Sequence, residues 1–279
     1  MEKKLIDLEG LDEDSLSFIN DALKVIELAN ENGIILRIMG AIAIRLHSPK
    51  FRHLYKSMER PLTDIDFMTY SKSLHLLKKF FLGLGFIPNE SIIRTYWDKR
   101  HIYYDKKGRT IDVFIDKLEM CHTINFKGRL ELDYPTITLS DLLLSKIQIV
   151  QINEKDVKDV IVMLLEHDVG ESEYDVINKS YIARILSDDW GFYYTATTNL
   201  RKIRNFLDKY SIITNEDRED LSAKISKLLI AIENQPKSIR WKMRAKIGTS
   251  KKWYTDVGEV LRPGLADMAE EWKKKISRD

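Results

Sequence analysis

The N-terminal part of the chain changes from a helical pattern of apolar residues to a continuous apolar run. Leucines and isoleucines three and four residues apart predict a helix over residues 15–30, and Gly33 supplies a typical helix end. Residues 34–39 have the length and branching of a buried strand, and the helical pattern resumes over residues 41–46. Gly40 therefore marks a tight strand-to-helix turn. Backbone N–H groups could approach a phosphate there, although a simple turn is the commoner role of a single glycine.

The middle of the chain carries strand patterns with helical stretches between them. Residues 48–59 are polar and basic and are predicted to form a loop. Alternating or continuous apolar residues predict a strand that contains Asp64–Asp66 and further strands over residues 92–104 and 110–116, the last two joined by a turn at 106–108. Spacings of three and four predict helices over residues 74–84, 138–151 and 154–167.

Beyond Gly170 the pattern is helical throughout. The predicted helices cover residues 172–186, 199–210, 215–234 and 263–276. A mixed region of strands and helices followed by a run of helices is typical of an α+β protein with a C-terminal helical subdomain. We therefore expect two domains, residues 1–169 and residues 170–279.

Composition is that of an ordinary globular protein. The chain has 279 residues, 44% of them hydrophobic and 32% charged, with a net charge of +2. A charge this small gives no general attraction to nucleic acid or membrane, so any such attraction must be local. The single cysteine, Cys121, excludes an internal disulfide, and we find neither a signal peptide nor an apolar run that could span a bilayer. We expect a cytoplasmic protein.

Two acids stand two residues apart within Arg60–Phe67. If this segment is a strand, Asp64 and Asp66 lie on one face while Ile65 and Phe67 lie on the other. Neighbouring carboxylates repel one another, and a divalent cation such as Mg²⁺ bound between them would offset that repulsion. A solvated turn before a strand is the alternative, and for an isolated Asp-x-Asp pair it is the commoner case.

A third acid follows in the segment Thr110–Asp116. Alternation places Asp112 and Asp116 on one face of the predicted strand, so either could be a third metal ligand. An exposed edge is the alternative explanation for acids at these positions. The choice between Asp112 and Asp116 stays open at the level of sequence.

These features together resemble the nucleotidyltransferase superfamily with the DNA polymerase β-like fold. Its pattern is a small-residue turn after a strand, a paired acidic strand, and a later single acid between apolar residues. Arg60–Phe67 is most similar to the corresponding block of the aminoglycoside-nucleotidyltransferase-like proteins and the AbiEii-type toxin nucleotidyltransferases. Lys146, Lys155-Asp156 and Asp159 resemble the lysine helix of those proteins. The resemblance covers about residues 15–168 and departs at Ala41, where the family usually has glycine or serine.

The resemblance implies transfer of a nucleoside monophosphate from an NTP to a hydroxyl of an unidentified acceptor: a small molecule, a tRNA or a protein. Asp64, Asp66 and Asp112 would be both the catalytic residues and the ligands of Mg²⁺ or Mn²⁺. The implied nucleotide-binding residues are Gly40, Ala41, Arg60 and Lys146. For Arg60 an ion pair that holds the loop is the alternative, and for Lys146 an ion pair with Asp159.

A basic segment with aromatic residues, Lys237–Lys252, supports a second hypothesis. A non-catalytic protein with this fold could bind RNA or another partner there, with Arg240, Lys242 and Arg244 as contacts. A solvated basic helix is the commoner explanation of such a segment. The six histidines show no metal-ligand spacing in the sequence; His47 and His101 could lie near the acids, but a structural role is the more common one.

Overall fold

A computed structural model describes residues 7–257. The predicted helix over residues 263–276 lies outside the described residues. None of the helices in the described range is long and apolar enough to cross a bilayer.

A mixed five-stranded sheet forms the centre of the N-terminal half. Its strand order is β1-β2-β5-β4-β3, with β2 and β5 parallel and the other neighbours antiparallel. This arrangement confirms the predicted α+β fold with a mixed sheet. The strands are β1 (Leu36–Met39), β2 (Asp64–Thr69), β3 (Ile87–Pro88), β4 (Arg100–Tyr104) and β5 (Thr110–Ile115).

Seven α-helices accompany this sheet between residues 7 and 169, the described part of the N-terminal region. They are α1 (Glu13–Glu31), α2 (Gly40–His47), α3 (Leu54–Ser57), α4 (Leu74–Gly83), α5 (Glu90–Thr95), α6 (Leu139–Ile147) and α7 (Glu154–Glu166). Side chains cap several of them: Asp12 accepts from the backbone of Ser15, and Asn153 accepts from that of Asp156. The caps fix where α1 and α7 begin, and Gly33, at a φ of 69°, follows α1 as the sequence predicts.

The C-terminal part is mostly helical, as predicted, and short strands precede it. Its helices are α8 (Lys179–Leu186), α9 (Trp190–Phe206), α10 (Asn215–Asn234) and α11 (Ile239–Ile247). Two small sheets pair β6 (Lys117–Glu119) with β7 (Thr123–Asn125), and β8 (Asp168–Gly170) with β9 (Val176–Asn178). Because β8 spans residue 169, the predicted domain boundary falls inside this strand pair, and one apolar core continues across it. The division into two domains stays a prediction.

Several local predictions differ from the structure. The predicted helix over residues 172–186 contains β9 and is helical only over α8, and the predicted helix over residues 199–210 is the second half of α9. The segment predicted as a strand over residues 92–104 begins instead with α5, because the Asn89 side chain accepts from the Ile92 N–H and caps a helix there. Only its last part is β4. The predicted loop over residues 48–59 contains the single turn α3.

Candidate active site

A cavity of about 670 Å³ opens against the central sheet where β1, β2, β4 and β5 meet. Its volume lies within the range of small-molecule sites, roughly 300–1,000 Å³. Gly40, Asp64, Asp66, Asp112 and Lys146 all line it. These predicted site residues come from four separate stretches of sequence, and the sheet topology brings them together.

The strand register places Asp66 between two other site elements. Asp66 lies opposite Met39 on β1 and opposite Asp112 on β5. Asp64 begins β2, two residues along the same face, and Ile65 is buried on the other face at 1% exposure. The predicted alternation of β2 is therefore correct, and the parallel pairing of β2 with β5 sets Asp112 beside the acid pair.

Gly40 is the first residue of α2 and touches the Asp66 carboxylate. Its φ is 66°, a left-handed backbone conformation that residues with a side chain rarely adopt. A Cβ built at this position would lie 2.2 Å from Asp66 Oδ2, closer than any real contact. Glycine is required here both for its φ and for the space beside Asp66. Its lack of a side chain lets the N-terminus of α2 lie against the acid pair.

We expect Gly40→Ala to disturb Asp66 and reduce any activity of this site. A residue with a side chain is destabilised by about 1–2 kcal/mol in this left-handed backbone conformation. The clash between the new Cβ and the Asp66 carboxylate also forces that carboxylate to rotate. Gly33→Ala is the matched control, because Gly33 has a similar φ of 69° but no atom within 4 Å of a Cβ added to it. Thermal unfolding should show a larger loss for Gly40→Ala, and equal losses would contradict the steric contact.

The environment of Asp66 disfavours its ionised form. Burial first, and then the neighbouring carboxylates of Asp64 and Asp112, raise the pKa of Asp66 well above its ordinary value. The side chain still retains partial exposure to the cavity. Three converging carboxylates are hard oxygen donors of the kind that Mg²⁺ and Mn²⁺ bind, and a cation would relieve their repulsion. The donor set therefore fits a divalent metal.

Arg100 pairs with Asp112 and is a site residue that sequence reasoning missed. The Arg100 Nε donates to Asp112 Oδ1 at 2.8 Å, and Nη2 pairs with Oδ2. The guanidinium belongs to β4, the next strand in the sheet, and it also lines the cavity. The sequence predicts that a turn joins these two strands but does not give their register, which sets Arg100 diagonal to Asp112.

Asp116, the rival of Asp112, lies outside this cavity. It follows β5 at a φ of 59°, and its Oδ1 accepts from the Ser71 backbone N–H at 2.9 Å. Alternation ends where β5 ends, so the shared face inferred from the sequence does not extend to Asp116. Of the two candidates, only Asp112 lies beside Asp66.

Arg60 takes the second of its two predicted roles. Its Nε and Nη2 donate to the two carboxylate oxygens of Asp159, at 3.1 and 2.9 Å, and the side chain is 6% exposed. Arg60 is not one of the described residues that line the cavity. A buried guanidinium with a bidentate partner is typical of a structural ion pair, and nucleotide binding by Arg60 stays a prediction.

Lys146 both lines the cavity and forms ion pairs. Its Nζ lies 2.8 Å from Asp156 Oδ1 and 2.9 Å from Asp159 Oδ2. Burial alone would lower the pKa of Lys146, but the two carboxylates outweigh that effect and raise it, so the group is a permanent cation. Ala41, directly behind Gly40 in α2, is buried and offers the cavity no side-chain group.

The basic segment lies on α11 and is largely exposed. Arg240 and Lys242 are solvent-exposed, whereas the Arg244 guanidinium donates to the carbonyls of Gly248 and Lys251 and lies over the Trp190 ring. Arg244 is thus occupied in holding the end of α11. RNA binding through this helix stays a prediction.

Neither histidine considered from the sequence belongs to the cavity. The His101 ring lies within hydrogen-bonding distance of Tyr103 Oη and the Trp97 carbonyl, as a structural histidine would. His47 is the last residue of α2, at the opposite end of that helix from Gly40.

Comparisons with known proteins add little to this geometry. No protein-family model matches the chain, and no curated protein matches it. Among solved structures, the chain is similar to an antigenic nucleotidyltransferase-like protein from Paracoccidioides brasiliensis, at 12% sequence identity and a TM-score of 0.29. The match covers 81% of this chain and 95% of that chain. A likeness this slight carries no conclusion about function, so support must come from the site itself.

Proposed function

We propose that this protein is a nucleotidyltransferase. It would transfer a nucleoside monophosphate from an NTP to a hydroxyl acceptor and release pyrophosphate, with Mg²⁺ or Mn²⁺ as cofactor. The supporting observation is the convergence of Asp64, Asp66 and Asp112 with the N-terminus of α2 on one cavity. The sequence resemblance extends the proposal to small standalone enzymes of the aminoglycoside-nucleotidyltransferase and AbiEii toxin kind.

The three carboxylates would hold the divalent ion. When bound, that ion neutralises phosphate charge and makes an acceptor hydroxyl more acidic. Asp64 and Asp66 project from one face of β2, and Asp112 projects from its parallel neighbour β5, so rigid sheet positions fix all three. Such positions keep catalytic groups in place without a cost of ordering during the reaction.

Other groups would bind the triphosphate. The first N–H groups of α2 lack partners within the helix and carry its positive dipole end, and Gly40 keeps the backbone there open to a phosphate oxygen. Lys146 adds a fixed positive charge at the cavity wall. Arg100, held by Asp112, places a second cation beside the acids and can compensate for phosphate charge there.

Asp112 is the base that we propose for proton transfer from the acceptor. Its side chain is 8% exposed, lines the cavity and is paired with Arg100. An ionised carboxylate next to the acceptor site can take the hydroxyl proton as the new ester bond forms. Asp112 would thus combine metal binding with general-base catalysis.

The proposal is tested by label transfer. Purified protein is incubated with Mg²⁺, each of four α-³²P-labelled NTPs in turn and a cell extract, and labelled products are separated from free nucleotide. We expect a labelled acceptor with the wild type and a loss on the order of 10²–10³-fold or more with Asp64→Asn, since such losses follow removal of one preorganised electrostatic group.

Asp116→Asn is the matched control. It removes a carboxylate from the end of β5 rather than from the cavity, and asparagine tolerates the positive φ. Label transfer should persist with this variant. Equal activity of the wild type and Asp64→Asn would refute the proposed function.

A further inference from the structure

A second group of metal-ligating side chains lies away from the acids. His47 ends α2, His167 follows the last residue of α7, and Asp175 lies in the connection between β8 and β9. One ligand atom from each of these residues lies within 4.8 Å of the others. Gly40 and His47 lie at opposite ends of the eight-residue helix α2, about 10 Å apart, so this group is distinct from the proposed active site.

The surrounding cavity favours a cation. It has a volume of about 210 Å³, and four carboxylates line it together with the two imidazoles. No lysine or arginine is found among the described residues that line it. The carboxylates belong to Asp7, Asp133, Glu166 and Asp175. A positive ion would balance this concentration of negative charge.

The His167 ring faces oxygen atoms on both sides. Its Nε2 lies 2.9 Å from the carbonyl oxygen of His47, and its Nδ1 lies 3.6 Å from Asp175 Oδ1. A carbonyl oxygen can only accept a hydrogen bond, so a proton on Nε2 would bond to the His47 carbonyl. The Nδ1 lone pair would then be available for a metal ion shared with Asp175 Oδ1.

The His47 ring is held in the way typical of a metal ligand. Its Nε2 lies 2.6 Å from Thr136 Oγ1 and 3.5 Å from Asp133 Oδ2. Hydroxyl and carboxylate partners commonly orient ligating histidines, and a backbone carbonyl does the same for His167. Both rings are nearly buried, at 9% and 5% side-chain exposure, whereas Asp175 is half-exposed and leaves a path for an ion.

We propose that His47, His167 and Asp175 bind a divalent transition-metal ion of the zinc class. Two imidazole nitrogens and one carboxylate oxygen are the donors that Zn²⁺ accepts, with water available for a fourth position. Mg²⁺ prefers an all-oxygen set such as the acids of the sheet. The bound ion would tie the end of α2 to the end of α7 and to the β8–β9 connection.

The test is zinc binding by the full chain after treatment with a chelator. Equilibrium dialysis against Zn²⁺ in excess Mg²⁺ is followed by measurement of metal content per chain. We expect one tightly held zinc ion in the wild type and binding at least about tenfold weaker in Asp175→Asn. Asparagine tolerates the positive φ of Asp175, and the half-exposed side chain can be replaced without disturbing the core.

Two further variants locate the ion. Asp168→Asn removes an acid on neighbouring β8 whose side chain is 88% exposed, and it should bind zinc as the wild type does. Asp66→Asn should also retain the ion, because it alters only the sheet acids. The proposal is overturned if the wild type binds no zinc, as a simple ion pair of protonated His167 with Asp175 would require. Equal affinity in Asp175→Asn, or loss of the ion in Asp66→Asn, would overturn it as well.

Discussion

Replacing Asp66 with asparagine is expected to abolish nucleotidyl transfer and, at the same time, to stabilise the metal-free protein. Asparagine keeps the size of the side chain but removes the charge that Asp64 and Asp112 oppose. Relief of such repulsion is worth on the order of 1 kcal/mol, or about 2–4 °C in melting temperature for a chain of this size. Activity should fall on the order of 10²–10³-fold or more.

The gain in stability should depend on pH in a defined direction. Because burial and its neighbours raise the pKa of Asp66 in the folded protein, the native state retains a proton that the unfolded chain releases near pH 3.9. Wild-type stability therefore falls as pH rises above about 4 and until the folded-state pKa is passed. Asparagine has no such dependence. The difference in stability between the wild type and Asp66→Asn should be small below about pH 4. It should reach its full size above the raised pKa of Asp66 in the folded protein.

Mg²⁺ should reverse the order of stability. A ligand that binds only the folded state raises the melting temperature, and the wild type has the complete set of carboxylates. Melting curves of both proteins in chelator and in excess Mg²⁺ measure this. A destabilised Asp66→Asn protein in chelator, or equal responses of both proteins to Mg²⁺, would contradict the metal site.

The acid pair and the Gly40 turn were predictable because each is encoded locally. Alternation along β2 puts Asp64 and Asp66 on one face whatever the position of the strand in the sheet. A glycine between a strand pattern and a helix pattern indicates a tight turn at that residue. To choose Asp112 over Asp116, one must know the residue at which β5 ends, and the alternation of side chains does not show that residue. The partner of Asp112 required the register of β4 against β5.

Interactions between distant parts of the chain were not predictable from one sequence. Arg60 and Asp159 are 99 residues apart, and His47 and His167 are 120 apart. Nothing in the spacing of either pair indicates a contact. The first pair joins α7 to the loop before β2, and the second depends on the packing of α7 against α2. The strands β8 and β9, at three residues each, are also too short for alternation to distinguish them from loops.

The largest loss of stability is expected from Asp159→Asn. The Asp159 side chain is fully buried, accepts two hydrogen bonds from Arg60 and lies 2.9 Å from the Lys146 ammonium. Removing one partner of a buried ion pair leaves uncompensated charge and costs about 3–5 kcal/mol. Here two cations lose their shared partner, so denaturant unfolding should show a loss at the upper end of that range.

Glu154→Gln is the matched control on the same helix. Glu154 pairs with Lys158 one turn along α7, but its side chain is 64% exposed, and such surface pairs contribute about 0.3–0.5 kcal/mol. A comparable loss in both variants would mean that Asp159 does not hold a buried network.

Acid titration separates the network from simple loss of packing at Asp159. Burial would raise the pKa of Asp159, but Lys146 and Arg60 outweigh it and lower the pKa below its ordinary value. The stabilisation is then fully present above about pH 3.9, the unfolded-state pKa, and is lost as pH falls through the lower folded-state value. The gap in stability between the wild type and Asp159→Asn should therefore close at strongly acidic pH. A gap that stays constant down to about pH 2 would show that packing around residue 159, and not its charge, holds α7 against the loop of Arg60.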